Sequence, residues 1–231
     1  MDEAEFDRFA DEYRAMHAAN IRLSGEDPEY FAEYKIVDIA AELARNAIVP
    51  RRVLDFGAGV GYSVPFFARH LPAARLTCLD VSRKSLDVGV AHHGGAADFE
   101  HFDGRSIPFE DGTFDAALAS CVFHHIPHDE HVALLGEIRR VLRPGGRLFV
   151  FEHNPLNPLT RHAVNTCEFD VHAKLVGAPT MRRRMRDAGF VDAAIRYRIF
   201  FPRALRGMRP LEAKMTWLPL GAQYYVVARK S

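Results

Sequence analysis

The stretch "VLDFGAGVGYS", Val53 to Ser63, sets β-favouring residues before an acid and then glycine at every second position: Gly57, Gly59 and Gly61. Glycine lets a backbone turn left-handed and come close to a ligand. Loops of this kind wrap adenine-bearing ligands beyond the first strand of an α/β sheet. The dinucleotide pattern G-x-G-x-x-G places its last glycine where this chain has Tyr62, so the spacing is wrong for a pyrophosphate.

Asp55 ends the strand directly before the loop. A carboxylate there repels a phosphate docking on the next helix N-terminus. It suits a ligand with an ammonium group and no phosphate. A second acid, Asp80 in "LTCLDVS", lies about 20 residues further on, where a carboxylate can take both ribose hydroxyls. A third, Asp103 in "HFDG", follows the next strand, where it can accept the adenine amino group; Asp-Gly is also a good turn by itself. Three acids at three successive strand ends fit S-adenosylmethionine, an adenosine carrying an amino-acid tail and a sulfonium.

A hydroxyl acceptor needs a base near neutral pH, and histidine is the natural one. Two of the 12 histidines stand at strand ends: His153 in "FVFEHNPLNPLTRH", beside Glu152, and His125 in "FHHIP". Each can be a base or only a wall of the pocket. "HHIPHDEH" invites a metal reading through His124 and His128, but Pro127 breaks the helix between them and no acid or cysteine completes a ligand set. The segment after His153 holds two Asn-Pro pairs, each stiffening the backbone before it, then Arg161, His162, Asn165 and Asp170. It reads as an acceptor-recognition loop with Asn154 and Arg161 as contacts, or as a plain connection. Tyr30, Tyr34 and Lys35 can close the pocket. The segment "PRALRGMRPLEAKMTWLPL" can close it too, or form a homodimer contact.

The elements that must position these residues follow from pattern. Phe6, Phe9, Tyr13 and Met16 recur at helical spacing. Asp27 and Pro28 then start a second helix that runs to about Asn46, so residues 1–50 read as a helical cap. From Arg51 to Ser231 short apolar strands alternate with helices, among them Tyr62 to His70, Arg83 to Ala91 and one beginning at His128 that Pro144-Gly145-Gly146 stops. Near-continuous apolar strands alternating with helices mean a parallel sheet covered on both faces. The last two strands alternate more, lack a crossover helix and are expected to pair antiparallel at one edge.

The chain has 231 residues, with Lys plus Arg 30 balanced by Asp plus Glu 30. A neutral chain without a long basic run is a poor grip for nucleic acid; "MRRRMRD" reads as a solvated helix face. Cys78, Cys121 and Cys167 are odd in number and widely spaced, which fits a reducing compartment, and Cys78 and Cys121, in apolar strand-like runs, read as buried filler. With no long apolar run and an acidic N-terminus, the expectation is a cytoplasmic protein off the membrane.

"VLDFGAGVG", "LTCLDVS", "HFDGRSIPFEDGTFD", "ALASCVFHHI" and "IRRVLRPGGRLFVFE" stand in the order of the class I S-adenosylmethionine-dependent methyltransferases, and the chain resembles their ubiquinone/menaquinone-type branch. The resemblance implies a Rossmann-like, doubly wound, seven-stranded sheet with an antiparallel last strand. It implies that Gly57, Ala58, Gly59 and Gly61 approach the methionine part and adenosine. Asp80 with Val81 and Ser82 would hold the ribose, Asp103 and Gly104 flank adenine, and Ala119, Ser120 and Cys121 line the other side. Phe123 and His125 would sit near the methyl group, and Tyr13 would cover the cofactor. The "SCVF" strand end lacks the (Asn/Asp)-Pro-Pro-Tyr of adenine-amino enzymes, and no Pro-Cys of cytosine C5 enzymes occurs. The expected activity is methyl transfer to a small molecule, at oxygen, leaving S-adenosylhomocysteine. The rival readings are a non-catalytic S-adenosylmethionine-binding protein and an NAD(P)-dependent oxidoreductase.

Overall fold

The computed structural model describes residues 25–167 and 173–231. The first expected helix with Tyr13, and Asp170, lie outside the described residues. Helix α1 (Pro28–Arg45) starts as its sequence dictates: Asp27 accepts a hydrogen bond from the Tyr30 N–H at 2.8 Å and Pro28 occupies the first turn. Its apolar stripe, Phe31, Ile36, Ile39 and Leu43, is buried against the sheet.

Seven strands follow: β1 (Arg52–Phe56), β2 (Arg75–Asp80), β3 (Asp98–His101), β4 (Phe114–Ser120), β5 (Leu142–His153), β6 (Phe190–Arg198) and β7 (Gln223–Lys230). Their order is β3-β2-β1-β4-β5-β7-β6. Strands β1 to β5 pair parallel, and β7 is antiparallel to both β5 and β6. The expected antiparallel pairing is present, with β7 inserted inside the sheet and β6 at its edge. Helices α2 (Val64–His70), α3 (Arg83–His93), α4 (His131–Val141), α5 (Pro158–Asn165), α6 (Ala178–Asp187) and α7 (Glu212–Met215) complete the layers. Alternate strand residues split the core. Val53, Leu118 and Phe151 pack with α1 and α2, whereas Leu54, Ala119 and Val150 pack with α4 and α6.

Three boundaries differ from the sequence expectation. Helix α2 starts at Val64, because the glycine loop still turns through Gly61 at φ 78°. Helix α4 starts at His131 and ends at Val141, three residues before Pro144. The Pro144-Gly145-Gly146 run does not stop that helix; it lies inside the 12-residue β5, where the pairing with β4 shifts register. A bulge tolerates proline and a glycine at φ 79°.

Between β6 and β7 the chain forms a 3-10 run, Arg203–Leu211, and then α7. Arg203 donates to Gly25 O and Arg209 pairs with Glu26, which fixes this segment to the start of α1. Trp217, the chain's single tryptophan, is 74% exposed here. No helix among the described residues is long and apolar enough to cross a membrane.

Candidate cofactor and acceptor site

The strand order reverses between β1 and β4, so the crevice for a ligand opens beyond their C-terminal ends. The glycine loop sits there. Gly57, Gly59 and Gly61 have φ of 73°, 55° and 78°. A Cβ on Gly57 would lie 2.4 Å from Val122 Cγ2, so that position admits only glycine. A Cβ on Gly59 would meet nothing within 4 Å. The backbone at Gly59 therefore presents an open face.

Asp80 anchors that face. Its Oδ2 accepts the Gly59 N–H at 2.7 Å and its Oδ1 accepts the Ser82 N–H at 2.9 Å. Burial raises its pKa against these backbone donors. Ser82 is fully buried and caps α3, its hydroxyl accepting from Ser85 N at 3.0 Å. Asp55 lies under the loop, 3% exposed. Ser63 donates to its Oδ2, while its Oδ1 is buried with no hydrogen-bond partner. Burial pushes this carboxyl up to about 6, against Ser63 and the Lys35 ammonium. Asp103 is exposed at the rim beside Gly104 and closes a turn, accepting from the N–H of Arg105 and of Ser106 at 2.8 Å each. The Ser106 and Arg105 amides hold its carboxyl below the usual range. Asp103, Gly104, Arg105 and Glu130 line an open depression.

A second cluster stands at the ends of β4 and β5. Lys35, 8% exposed, donates to Ser120 Oγ at 2.7 Å and to Cys121 Sγ at 3.5 Å. Cys121 has φ 58°, unusual for a side-chain-bearing residue. Antiparallel pairing sets Gln223, the first residue of β7, opposite His153, the last of β5. Tyr34 donates to Gln223 Oε1, and Gln223 Nε2 donates to His153 Nδ1 at 3.4 Å. Glu152 is fully buried: Oε1 accepts the Phe123 N–H at 2.8 Å and Oε2 accepts from His124 Nδ1 at 2.6 Å. Burial pushes the Glu152 carboxyl up, but His124 outweighs it and the pKa is lowered.

Several expected contacts take other roles. Asn154 is 1% exposed, and its amide donates to Pro219 O and Gly221 O while its Oδ1 accepts from Leu156 N. It pins one loop to another, and its polar atoms are occupied by the chain rather than offered to an acceptor. Phe123 is fully buried, its ring stacked on Phe56 and edge-on to His131, so it belongs to the core rather than to a pocket wall. Ala119 likewise faces the core, leaving only its backbone for a ligand. Val81 is buried behind Asp80, and Ala58 is half-buried in the loop. Tyr34 is buried, whereas Tyr30 is partly exposed under the Arg209 guanidinium. His125 is half-buried with its ring 4.2 Å from that of His124, and Arg161 is exposed on α5. The histidines of "HHIPHDEH" are dispersed, His128 toward Lys174 O and His131 toward Ile126 O, and among the described residues no group of three or more His, Cys, Asp or Glu is arranged for a metal.

The His124–Glu152 pair and Gln223 escaped the sequence reading. Lys35 left a signal there: it falls on the buried stripe between Phe31 and Ile39, where a lysine needs a partner.

The glycine loop and the three strand-end acids stand at the strand ends of a Rossmann-like sheet, around its switch point. Residues 53–146 match the family described as a methyltransferase domain. A phthiotriol/phenolphthiotriol dimycocerosates methyltransferase of Mycobacterium ulcerans is 31% identical over 59% of this chain and 47% of its own length. A demethylmenaquinone methyltransferase of Clavibacter sepedonicus is 32% identical over 62% of this chain and 56% of its own length. The chain thus spans about half the length of these curated relatives. The crystal structure of an S-adenosylmethionine-dependent methyltransferase from Thermotoga maritima superposes with a TM-score of 0.69 at 18% identity, covering 99% of both chains.

Proposed function

We propose that this protein transfers the methyl group of S-adenosylmethionine to a small-molecule acceptor, at oxygen. The observation that carries the cofactor assignment is the buried, unpartnered Asp55 Oδ1 beneath a glycine loop whose Gly59 face is open and tied to Asp80. An ammonium-bearing adenosine answers both features. Asp55 faces the amino-acid tail, Asp80 the ribose, and Asp103 with Gly104 the adenine. The backbone of Ala119, Ser120 and Cys121 flanks the other side. When bound, the cofactor supplies an electrophilic methyl on a sulfonium. The chain's part is to orient the acceptor for in-line attack and to take its proton.

Oxygen is favoured by the titratable groups gathered at the ends of β4 and β5, Cys121 and His153 foremost, with His125 beside them. Both curated relatives are named for small-molecule acceptors, which supports that class over nucleic acid, as does the balance of 30 basic against 30 acidic residues. Isothermal titration with S-adenosylmethionine, S-adenosylhomocysteine and NADH tests the cofactor. Binding of the first two alone is expected; no binding of either removes the proposal. A methyl-labelled acceptor screen, with the product's methylated atom read by NMR, tests oxygen against carbon and nitrogen.

A further inference from the structure

Cys121 is drawn into a polar cluster at the ends of β4 and β5. It follows β4 in left-handed backbone, which costs a non-glycine residue of order 1 kcal/mol. The buried Lys35 ammonium reaches Sγ at 3.5 Å while its other bond goes to Ser120 Oγ. His153 hydrogen-bonds the same thiol. The polarity of the neighbouring chain then assigns roles. Tyr34 donates to the Gln223 carbonyl, so the Gln223 amide N–H donates to His153 Nδ1. A neutral ring with Nδ1 accepting carries its proton on Nε2. The accepting nitrogen of His153 is thus already engaged, and the ring is set to give a hydrogen bond rather than to take a proton.

We propose, on the basis of the methyl-transfer reading above, that Cys121 is the proton acceptor of the site, held as a thiolate by Lys35 and His153, with His153 acting as its positioning partner. In the step, the acceptor's O–H proton passes to Cys121 Sγ. The oxygen lone pair forms the new bond to the methyl carbon, and the carbon–sulfur bond breaks toward the sulfonium. The products are a methyl ether, S-adenosylhomocysteine and a Cys121 thiol, whose proton then leaves to solvent.

The surrounding charges agree. Burial pushes the thiol up and Glu152 adds to this; the Lys35 ammonium, foremost, and the hydrogen bond from His153 lower it, and the thiol comes to about 7. Tyr34 from α1 and Tyr224 from β7 also face it; burial raises both well above the usual phenol range, so they stay neutral. Cys78 is the internal contrast: fully buried without a cation beside it, its thiol is pushed far up.

Iodoacetamide alkylation of the full chain, followed for the Cys121 peptide by mass spectrometry across pH, tests the thiolate without any cofactor. The expected inflection lies near 7, and Lys35→Met moves it toward the ordinary thiol value of about 8.5; His153→Gln, a milder change, moves it the same way. An inflection at the ordinary value, or one indifferent to both substitutions, overturns the proposal. With an acceptor from the screen, Cys121→Ser is expected to lower kcat about a hundredfold and to remove the acidic limb of the pH profile, with cofactor affinity by calorimetry unchanged. An unaltered kcat–pH profile overturns it equally. Wild-type protein that binds no S-adenosylmethionine defeats the methyl-transfer reading, whereas tight cofactor binding with an ordinary thiol defeats only this one.

Discussion

Asp55 sits where the fold alone would not put a charge. Its carboxyl is raised from 3.8 to about 6, with one oxygen unpartnered. An acid with a raised folded pKa gives full stability below its unfolded value and loses it as pH rises through the folded one. The loss therefore falls between about pH 4 and 6 and amounts to roughly 2–3 kcal/mol. Asp55→Asn is expected to raise the urea midpoint at pH 8, with the advantage closing toward pH 4, while S-adenosylmethionine affinity falls. An unchanged midpoint at pH 8 rejects the burial argument. Asp80→Ala removes charged acceptors, each contributing roughly 1.5–3 kcal/mol to a ribose hydroxyl, so calorimetry should show cofactor affinity at least about tenfold weaker; a folded variant with wild-type affinity rejects the ribose role. Both acids were legible because they end apolar runs. Their partners were not: Lys35 meets Ser120 across 85 positions and Tyr34 meets Gln223 across 189. No local pattern encodes such pairs.

At the scale of elements, the glycine loop separates two demands on one residue type. Gly57 is required by the fold, through its φ and the Val122 side chain behind it. Gly59 has φ 55° but open space in front, so what it serves is approach. Gly57→Ala should lower the thermal midpoint, through a stability loss of roughly 3 kcal/mol. Gly59→Ala should cost only about 1–2 kcal/mol of backbone strain yet weaken cofactor binding. Equal stability losses with equal binding losses would contradict this division. The strands themselves were readable as apolar runs. Their ends were not, because Pro144 sits in a bulge rather than at a helix stop, and whether a proline breaks a helix or decorates a bulge depends on the partner strand.

For the whole molecule, the ends of β4 and β5 are joined by a buried carboxylate–imidazole pair. Glu152 is sealed at the end of β5, bound to His124 and to the Phe123 amide from the turn after β4. Its folded pKa is lowered, so its contribution is present above the ordinary carboxylate range and is lost as pH falls through the folded value. Glu152→Gln should destabilise the protein by about 2–3 kcal/mol at pH 7, since it removes a buried charged acceptor from the Phe123 amide and the His124 ring, and the penalty should shrink in acid. A pH-independent penalty in circular dichroism melts would show that shape, not charge, is what Glu152 supplies. The antiparallel insertion of β7 matters at this scale too, because it carries Gln223 back from the far side of the sheet to His153. The class of fold was evident from alternation alone, but this return was visible only once the strand order was known.

Trp217 projects from the segment between β6 and β7, 74% exposed, with its indole N–H bonded to Lys214 O at 3.1 Å. As the chain's single tryptophan it gives the protein a spectroscopic asymmetry. At 74% exposure its native emission is expected to be that of a solvated indole, with unfolding of the sheet changing it little. A blue shift or a gain in anisotropy, by contrast, reports one event only, the covering of the 202–220 surface. Intrinsic fluorescence of this protein is thus a probe of what touches that surface rather than of whether the fold is intact.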